Sequence, residues 1–343
     1  MSEPVIPQIS HHTQLSQMIS GYWVSQAIST AAKLGIADLL KPGSQSCQQL
    51  AENTDSNPGS LYRMMRALAS IGIFQETEPE QFILTPLAEY LCSDHPQSLK
   101  ATAVMFGETP HYQAWGNFLY SVKTGKPAFD HAFGMGVFDY FKSHPQDAEI
   151  FEQCMNSLSF VEEKAILDVY DFSQFKTLVD IGGGYGEMLG TFLHKYPHLQ
   201  GILFDEEYVI SHAEPTLAKH GIVERCQKVS GDFFTSVPQG GDAYLLKHIL
   251  HDWDDERALT ILQNCTNAMD DHSKILVLEM IVEPGNIPGG AKMLDLNMLV
   301  MCPGGKERTE SEFHQLFAQA GLKLTQVIRT AEDICVIEGC KQT

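Results

Sequence analysis

The chain has 343 residues, 43% of them hydrophobic, and its 23 Lys and Arg against 43 Asp and Glu give a formal charge of −20. This excludes a peptide or a disordered tail, and at roughly 100–200 residues per domain it allows two or three units with cores of their own. So acidic a field repels polyanions, and without a local basic patch no nucleic-acid partner is expected.

The longest apolar run, near Ile275 to Val282, is broken by Glu279 and falls short of the ~20 residues that cross a bilayer, so no membrane partner is expected either. Met1 to Ser10 lacks the basic start and apolar stretch of a secretory signal, which makes the cytoplasm the default location. Eight cysteines without a Cys-x-x-Cys read as reduced, mostly buried thiols.

From Leu15 to Leu40 apolar residues recur at helical spacing, with a break at Gly35. A short helix after Ser46, a turn at Asn57-Pro58-Gly59, a helix from Leu61 to Ile71 and a hairpin from Phe74 to Thr85 complete a winged-helix pattern. Three bases (Lys41, Arg63, Arg66) against seven acids between residues 41 and 95 give this segment a net of 3 − 7 = −4, which disfavours DNA reading. A helical middle section runs to Tyr170 and carries eleven aromatics, from Phe106 to Phe151, which are expected to be mostly core.

After Asp171 short apolar strands alternate with amphipathic helices: Thr177 to Ile181, Gly201 to Phe204, Arg225 to Val229, Ala243 to Leu246 and Lys274 to Met280. That alternation predicts an α/β domain with a mainly parallel, doubly wound sheet, and Leu322 to Ile328 with Ile334 to Glu338 predicts an antiparallel pair at its edge. The expected division is 1–105, 106–170 and 171–343.

The first of these strands runs into Asp180-Ile181-Gly182-Gly183-Gly184-Tyr185-Gly186, just before the helical stretch Glu187 to Lys195. Glycines here let the backbone turn sharply and approach a ligand. A dinucleotide fingerprint starting at Gly182 requires Gly or Ala at 187, where this chain has Glu. The acid-opened loop of Asp180, Gly182 and Gly184 suits a ligand without pyrophosphate and with a positive amino-acid end, such as S-adenosylmethionine. Asp205 ends the second strand 19 residues after Gly186, where an acid accepts ribose hydroxyls. Asp232 and Phe233 close the third strand and can hold an adenine by a hydrogen bond and a stacked face.

Lys247-His248-Ile249-Leu250-His251-Asp252-Trp253 follows the fourth strand at the same sheet edge. His251 is the candidate general base, because imidazole titrates at ~6.5 and a phenol at ~10. Glu279, costly if buried unpaired, and Glu307, after Pro303-Gly304-Gly305-Lys306, can each hold the ring in one tautomer. His248 and His251 alone are an incomplete ligand set, so no metal is expected.

Taken in order, Leu178 to Gly186, Phe204-Asp205, Gly231-Asp232-Phe233, Lys247 with His251-Asp252-Trp253, and Gly304 to Thr309 resemble the plant and bacterial small-molecule O-methyltransferases of the caffeate, hydroxyneurosporene and acetylserotonin type. The resemblance covers nearly the whole chain. It implies a class I, Rossmann-like methyltransferase domain, an N-terminal winged-helix dimerisation domain forming a homodimer, and S-adenosylmethionine bound without metal. It further implies that Gly182, Asp205, Asp232, Phe233 and Lys247 hold the cofactor, that Glu279 and Glu307 flank His251, and that Phe151, Met155, Met298 and Asp252 meet a small-molecule acceptor. Cys302 stands where plant members carry Asn, and acids follow Phe204 where the family has Leu-Pro, so an acceptor other than a plant phenylpropanoid is expected. The function expected is methylation of a hydroxyl on a small aromatic or polyketide-like molecule. The alternatives are the same fold turned to hydroxylation, decarboxylation or cyclisation, N-methylation, and a metabolite-sensing winged-helix regulator.

Overall fold

Local sequence signals set the N-terminal elements of the computed structural model, which describes residues 10–342. The expectation about a signal at Met1 to Ser10 falls, apart from Ser10, outside those residues. The chain separates into two units, one ending at Tyr112 and including Gln153–Ser157, the other made of Gln113–Glu152 and everything from Leu158 onward.

In the first unit, helices His11–Ile19, Gly21–Lys33 and Ile36–Leu40 are followed by β1 (Gln45–Ser46), helices Cys47–Asn53 and Pro58–Ser70, and the hairpin β2 (Phe74–Glu78) and β3 (Gln81–Leu84). The three strands pair in the order β1-β3-β2. Gly35, at φ 65, supplies the left-handed link before Ile36. Asn57-Pro58-Gly59 is a helix start rather than a turn: the Asn57 side chain accepts the Ser60 N–H at 2.9 Å and Pro58 takes the first helical position, where no N–H is needed. Ile36, Leu50, Met65, Leu68, Phe74 and Phe82 form the core of this unit.

In the second unit, β4 (Thr177–Ile181), β5 (Gln200–Asp205), β6 (Cys226–Ser230), β7 (Ala243–Lys247), β8 (Lys274–Met280), β9 (Leu322–Arg329) and β10 (Ile334–Lys341) form one sheet in the order β6-β5-β4-β7-β8-β10-β9. The first five strands are parallel, and β10 runs antiparallel to both β8 and β9. Of the C-terminal antiparallel pair β9 is the edge strand, with β6 at the opposite edge of the sheet, because the apolar, almost fully buried β10 pairs on both sides while β9 keeps Lys323, Thr325 and Gln326.

Alternate strand residues face opposite ways. Val179, Ile181, Tyr244, Leu246, Ile275 and Val277 pack with Ile261, Leu262 and Cys265 of helix Asp255–Ala268. Leu178, Leu245, Leu276 and Leu278 pack with Leu189, Phe192 and Leu193 of helix Glu187–Lys195. Each such side chain contributes about 1.5–3 kcal/mol on burial. The loops that follow β4, β5, β6 and β7 leave from the same carboxyl-terminal edge, where open α/β sheets bind ligands.

The aromatics of the middle section are less buried than expected. Phe129, Tyr140 and Phe141 are buried, Phe106 and Tyr112 are exposed, and the other six are half-buried. Those in the second unit, Tyr120 apart, make with Ala114, Val137, Met298, Met301 and Cys302 a separate apolar cluster on helix Gly290–Met301. All eight cysteines are free, seven of them buried.

Candidate active site

The glycine loop after β4 adopts left-handed backbone at Gly182 (φ 69), Gly184 (φ 59) and Gly186 (φ 86). Gly182 and Gly183 donate their N–H groups to the Phe204 carbonyl at 2.8 and 3.3 Å, which holds the loop across the end of β5. A Cβ on Gly182 would sit 2.5 Å from Ile249 Cδ1, and one on Gly183 2.6 Å from the Asp180 carboxyl. One on Gly184 would meet only Glu152 Oε2 at 3.8 Å, leaving bare backbone toward open space.

Asp180 lies beneath this loop, 1% exposed, with Oδ2 buried and without a hydrogen-bond partner among the described residues. Burial pushes its carboxyl up to about 7. It is thus placed to support the loop from below. At the end of β5, Asp205 accepts the Gly184 N–H through Oδ2 at 2.8 Å and the Glu206 N–H through Oδ1 at 2.7 Å, and burial raises it to about 6. Asp232 is exposed and accepts the Phe234 N–H at 2.9 Å, while the half-buried Phe233 ring packs edge-on against Phe234 and Trp253.

These groups fit S-adenosylmethionine. The uncovered backbone at Gly184 admits a close ligand, the carboxylates at the ends of β5 and β6 accept hydroxyl and amino protons, and the loop has no basic cluster to meet a diphosphate. Lys247 is committed elsewhere: its Nζ donates to Ser159 Oγ at 2.7 Å and Glu162 Oε2 at 3.0 Å, both on helix Pro145–Val169. His248, at φ 52, bonds Oε1 of the same Glu162 through Nε2 at 2.9 Å. Burial opposes ionisation of Glu162, but the adjacent His248 and Lys247 side chains outweigh it and hold the carboxyl far below its ordinary value.

His251 is buried in the 3-10 turn Leu250–Asp252. Its Nδ1 is 2.6 Å from Glu307 Oε1, and its Nε2 is 3.6 Å from Asp252 Oδ1. Burial works against the charged ring, yet the carboxylates of Asp252, Glu307 and Glu279 overcome it and raise the ring to about 9. Glu279, fully buried on β8, does not hold the ring. Its Oε1 accepts the backbone N–H groups of Leu250 at 2.6 Å and His251 at 3.1 Å, because a strand side chain beneath the turn reaches the amides first.

The Gly304–Arg308 stretch closes the site. A Cβ on Gly305 would lie 2.8 Å from Cys302 Cβ and 2.9 Å from the His251 carbonyl, so only glycine allows this approach. Lys306 N–H donates to that same carbonyl at 2.8 Å. Arg308, fully buried, donates to the carbonyls of Leu250 and Trp253, a part in the site that sequence reasoning missed. Its signal was a charge inside a glycine-led motif, which periodicity does not read.

Of the expected acceptor contacts, Phe151, Met298 and Cys302 share the aromatic cluster, with Phe151 stacked on Phe141 at 4.8 Å. Cys302 Sγ is 3.3 Å from Asp252 Oδ1, which joins that cluster to the base. Met155 lies within Gln153–Ser157, in the first unit.

The O-methyltransferase domain family matches residues 115–323, and the O-methyltransferase dimerisation domain family matches residues 16–94. Over 325 residues the chain is 44% identical to the phenazine O-methyltransferase PhzM of Lysobacter antibioticus, with 95% of each chain covered. The crystal structure of LaPhzM gives a TM-score of 0.93 at 43% identity, over 97% of this chain and 100% of that one. Human N-acetylserotonin methyltransferase, solved in complex with S-adenosylmethionine, gives 0.90 at 26% identity, over 98% and 99%.

Proposed function

This chain belongs to the S-adenosylmethionine-dependent small-molecule O-methyltransferases, and we propose that within this chemistry His251 is the general base for the acceptor hydroxyl. The observation that carries the reading is the 2.6 Å contact between His251 Nδ1 and Glu307. It occupies one ring nitrogen with a carboxylate and leaves Nε2 to take a proton.

Bound S-adenosylmethionine supplies an electrophilic methyl group on a sulfonium. Gly182 and Gly184 would receive it on bare backbone, Asp205 would accept its ribose hydroxyls, and Asp232 with Phe233 would hold the adenine. Asp180 would act only through the loop above it. Lys247, whose ammonium already donates to Ser159 and Glu162, would have one N–H left for the cofactor.

A ring raised to about 9 is well matched to a phenol near ~10, whereas an imidazole at ~6.5 would face a proton transfer uphill by about three orders of magnitude. The same shift leaves most rings protonated at neutral pH, so the neutral fraction limits the rate there. Asp252, beside Nε2, would meet the acceptor together with Phe151, Met298 and Cys302.

The acceptor is a small aromatic or polyketide-like molecule with a free hydroxyl, in line with the phenazine relative and the aromatic cluster around Met298. The protein acts in the cytoplasm as a homodimer formed through its N-terminal unit, with neither nucleic acid nor membrane as a partner. Among the described residues no helix is long and apolar enough to cross a membrane.

Methyl-labelled cofactor and a panel of hydroxylated aromatics test this reading. Label is expected to pass to at least one hydroxyl, and His251→Ala is expected to lower kcat by at least ~10²-fold while cofactor affinity stays within a few-fold. Unchanged turnover in that variant would place the base elsewhere.

A further inference from the structure

The turn that carries His251 is gripped from two sides by side chains distant in sequence. Glu279 takes the amides of Leu250 and His251. Arg308 takes the carbonyls, with Nη1 on Leu250 O at 2.7 Å and Nη2 on Trp253 O at 2.8 Å, while its Nε meets Asp255 Oδ1 at 3.0 Å. Arg308 is anchored in turn at the end of β8, where its own carbonyl accepts the Val282 N–H at 3.0 Å. Its neighbour in the chain, Glu307, holds the His251 ring.

We propose that Arg308 is a positioning residue for methyl transfer, locking the backbone of residues 250–253 to the segment that carries Glu307 so that ring and turn keep one alignment. A guanidinium presents a rigid planar fork, and here the fork spans two carbonyls that bracket the base. Lysine would bring the same charge on a single nitrogen, which does not reproduce the planar fork that places three separate nitrogens on Leu250 O, Trp253 O and Asp255. Core filling alone does not explain the choice, since an apolar side chain of similar volume would need no partners in so dry a place.

The proposal rests on His251 being the base, and the experiment separates the two. Arg308→Lys is expected to lower kcat about 10- to 100-fold, the scale of a small misalignment of reacting groups, with acceptor KM and calorimetric cofactor affinity each within about threefold. In a His251→Ala background the same substitution is expected to change kcat less than about twofold, because nothing is left to aim. If Arg308→Lys does not fold, Asp255→Asn weakens the same grip from an exposed position and is expected to cost about two- to fivefold in kcat, again only when His251 is present. An equal loss in both backgrounds, a loss that tracks cofactor affinity, or no loss at all overturns the positioning role. If His251→Ala by itself leaves kcat unchanged, the base assignment has failed and the positioning role falls with it.

Discussion

The Nδ1 of His251 and the Oε1 of Glu307 lie 2.6 Å apart between two buried side chains, and Glu307 Oε2 has no hydrogen-bond partner among the described residues. The ring's Nδ1–H therefore points at a carboxylate with little else to satisfy it. Histidine-selective NMR of the ligand-free protein should show a ring titrating near pH 9. In Glu307→Gln its midpoint should fall toward the ordinary ~6.5, because a neutral amide no longer favours the imidazolium. A midpoint unmoved by this change would show that Glu307 does not set the ring's charge.

Asp180 makes a separate, pH-dependent cost visible. Its folded carboxyl, raised to about 7, binds a proton more tightly than the unfolded one at ~3.9, so stability falls as pH rises between these values and is level above them. Asp180→Asn removes the charge. The variant should match the parent in Tm at the acid end of that window and exceed it at pH ~8; a constant difference across the range would contradict the buried, unpaired carboxyl.

Gly305 sits against the backbone of the base. Gly305→Ala forces its Cβ against the His251 carbonyl and Cys302, and is expected to lower kcat at least ~10-fold with cofactor affinity nearly unchanged, on the scale of a misplaced catalytic group. Full activity in this variant would mean that the loop has more room than the structure shows.

The N-terminal unit leaves Met18 at 67%, Ile19 at 69% and Trp23 at 64% exposed, with Leu15 and Tyr22 beside them. Exposed apolar residues grouped in this way are the expected contact face of the proposed dimer. Met18→Asp with Trp23→Asp should convert the proposed dimer to monomer in sedimentation, and an unchanged mass would move the dimer contact to another face.

The strands of the sheet were legible to within a residue or so at most ends, since short, nearly continuous apolar runs such as Leu178-Val179-Asp180-Ile181, Ala243 to Leu246 and Ile275 to Leu278, flanked by polar or glycine residues, leave few alternatives. The loop glycines, Asp205 and His251 were legible because each follows a strand at its carboxyl end. Asn57-Pro58-Gly59 was misread because Pro and Gly mark turns and helix starts alike, and only the Asn57 cap decides between them. The burial of the middle aromatics was overestimated, since ring count carries no information on whether a second layer covers them.

The chain's chemistry was therefore written locally: which residues bend the backbone, which carry charge and which end a strand. The partners of those residues were not. Glu279 on amides instead of the ring, Lys247 on Glu162, and Arg308 on the carbonyls around His251 are contacts between positions 28 to 85 residues apart. Such contacts depend on strand order and on which donor comes first within about 3 Å of a buried acceptor. Sequence spacing does not encode that distance, and only the folded sheet brings the groups within it.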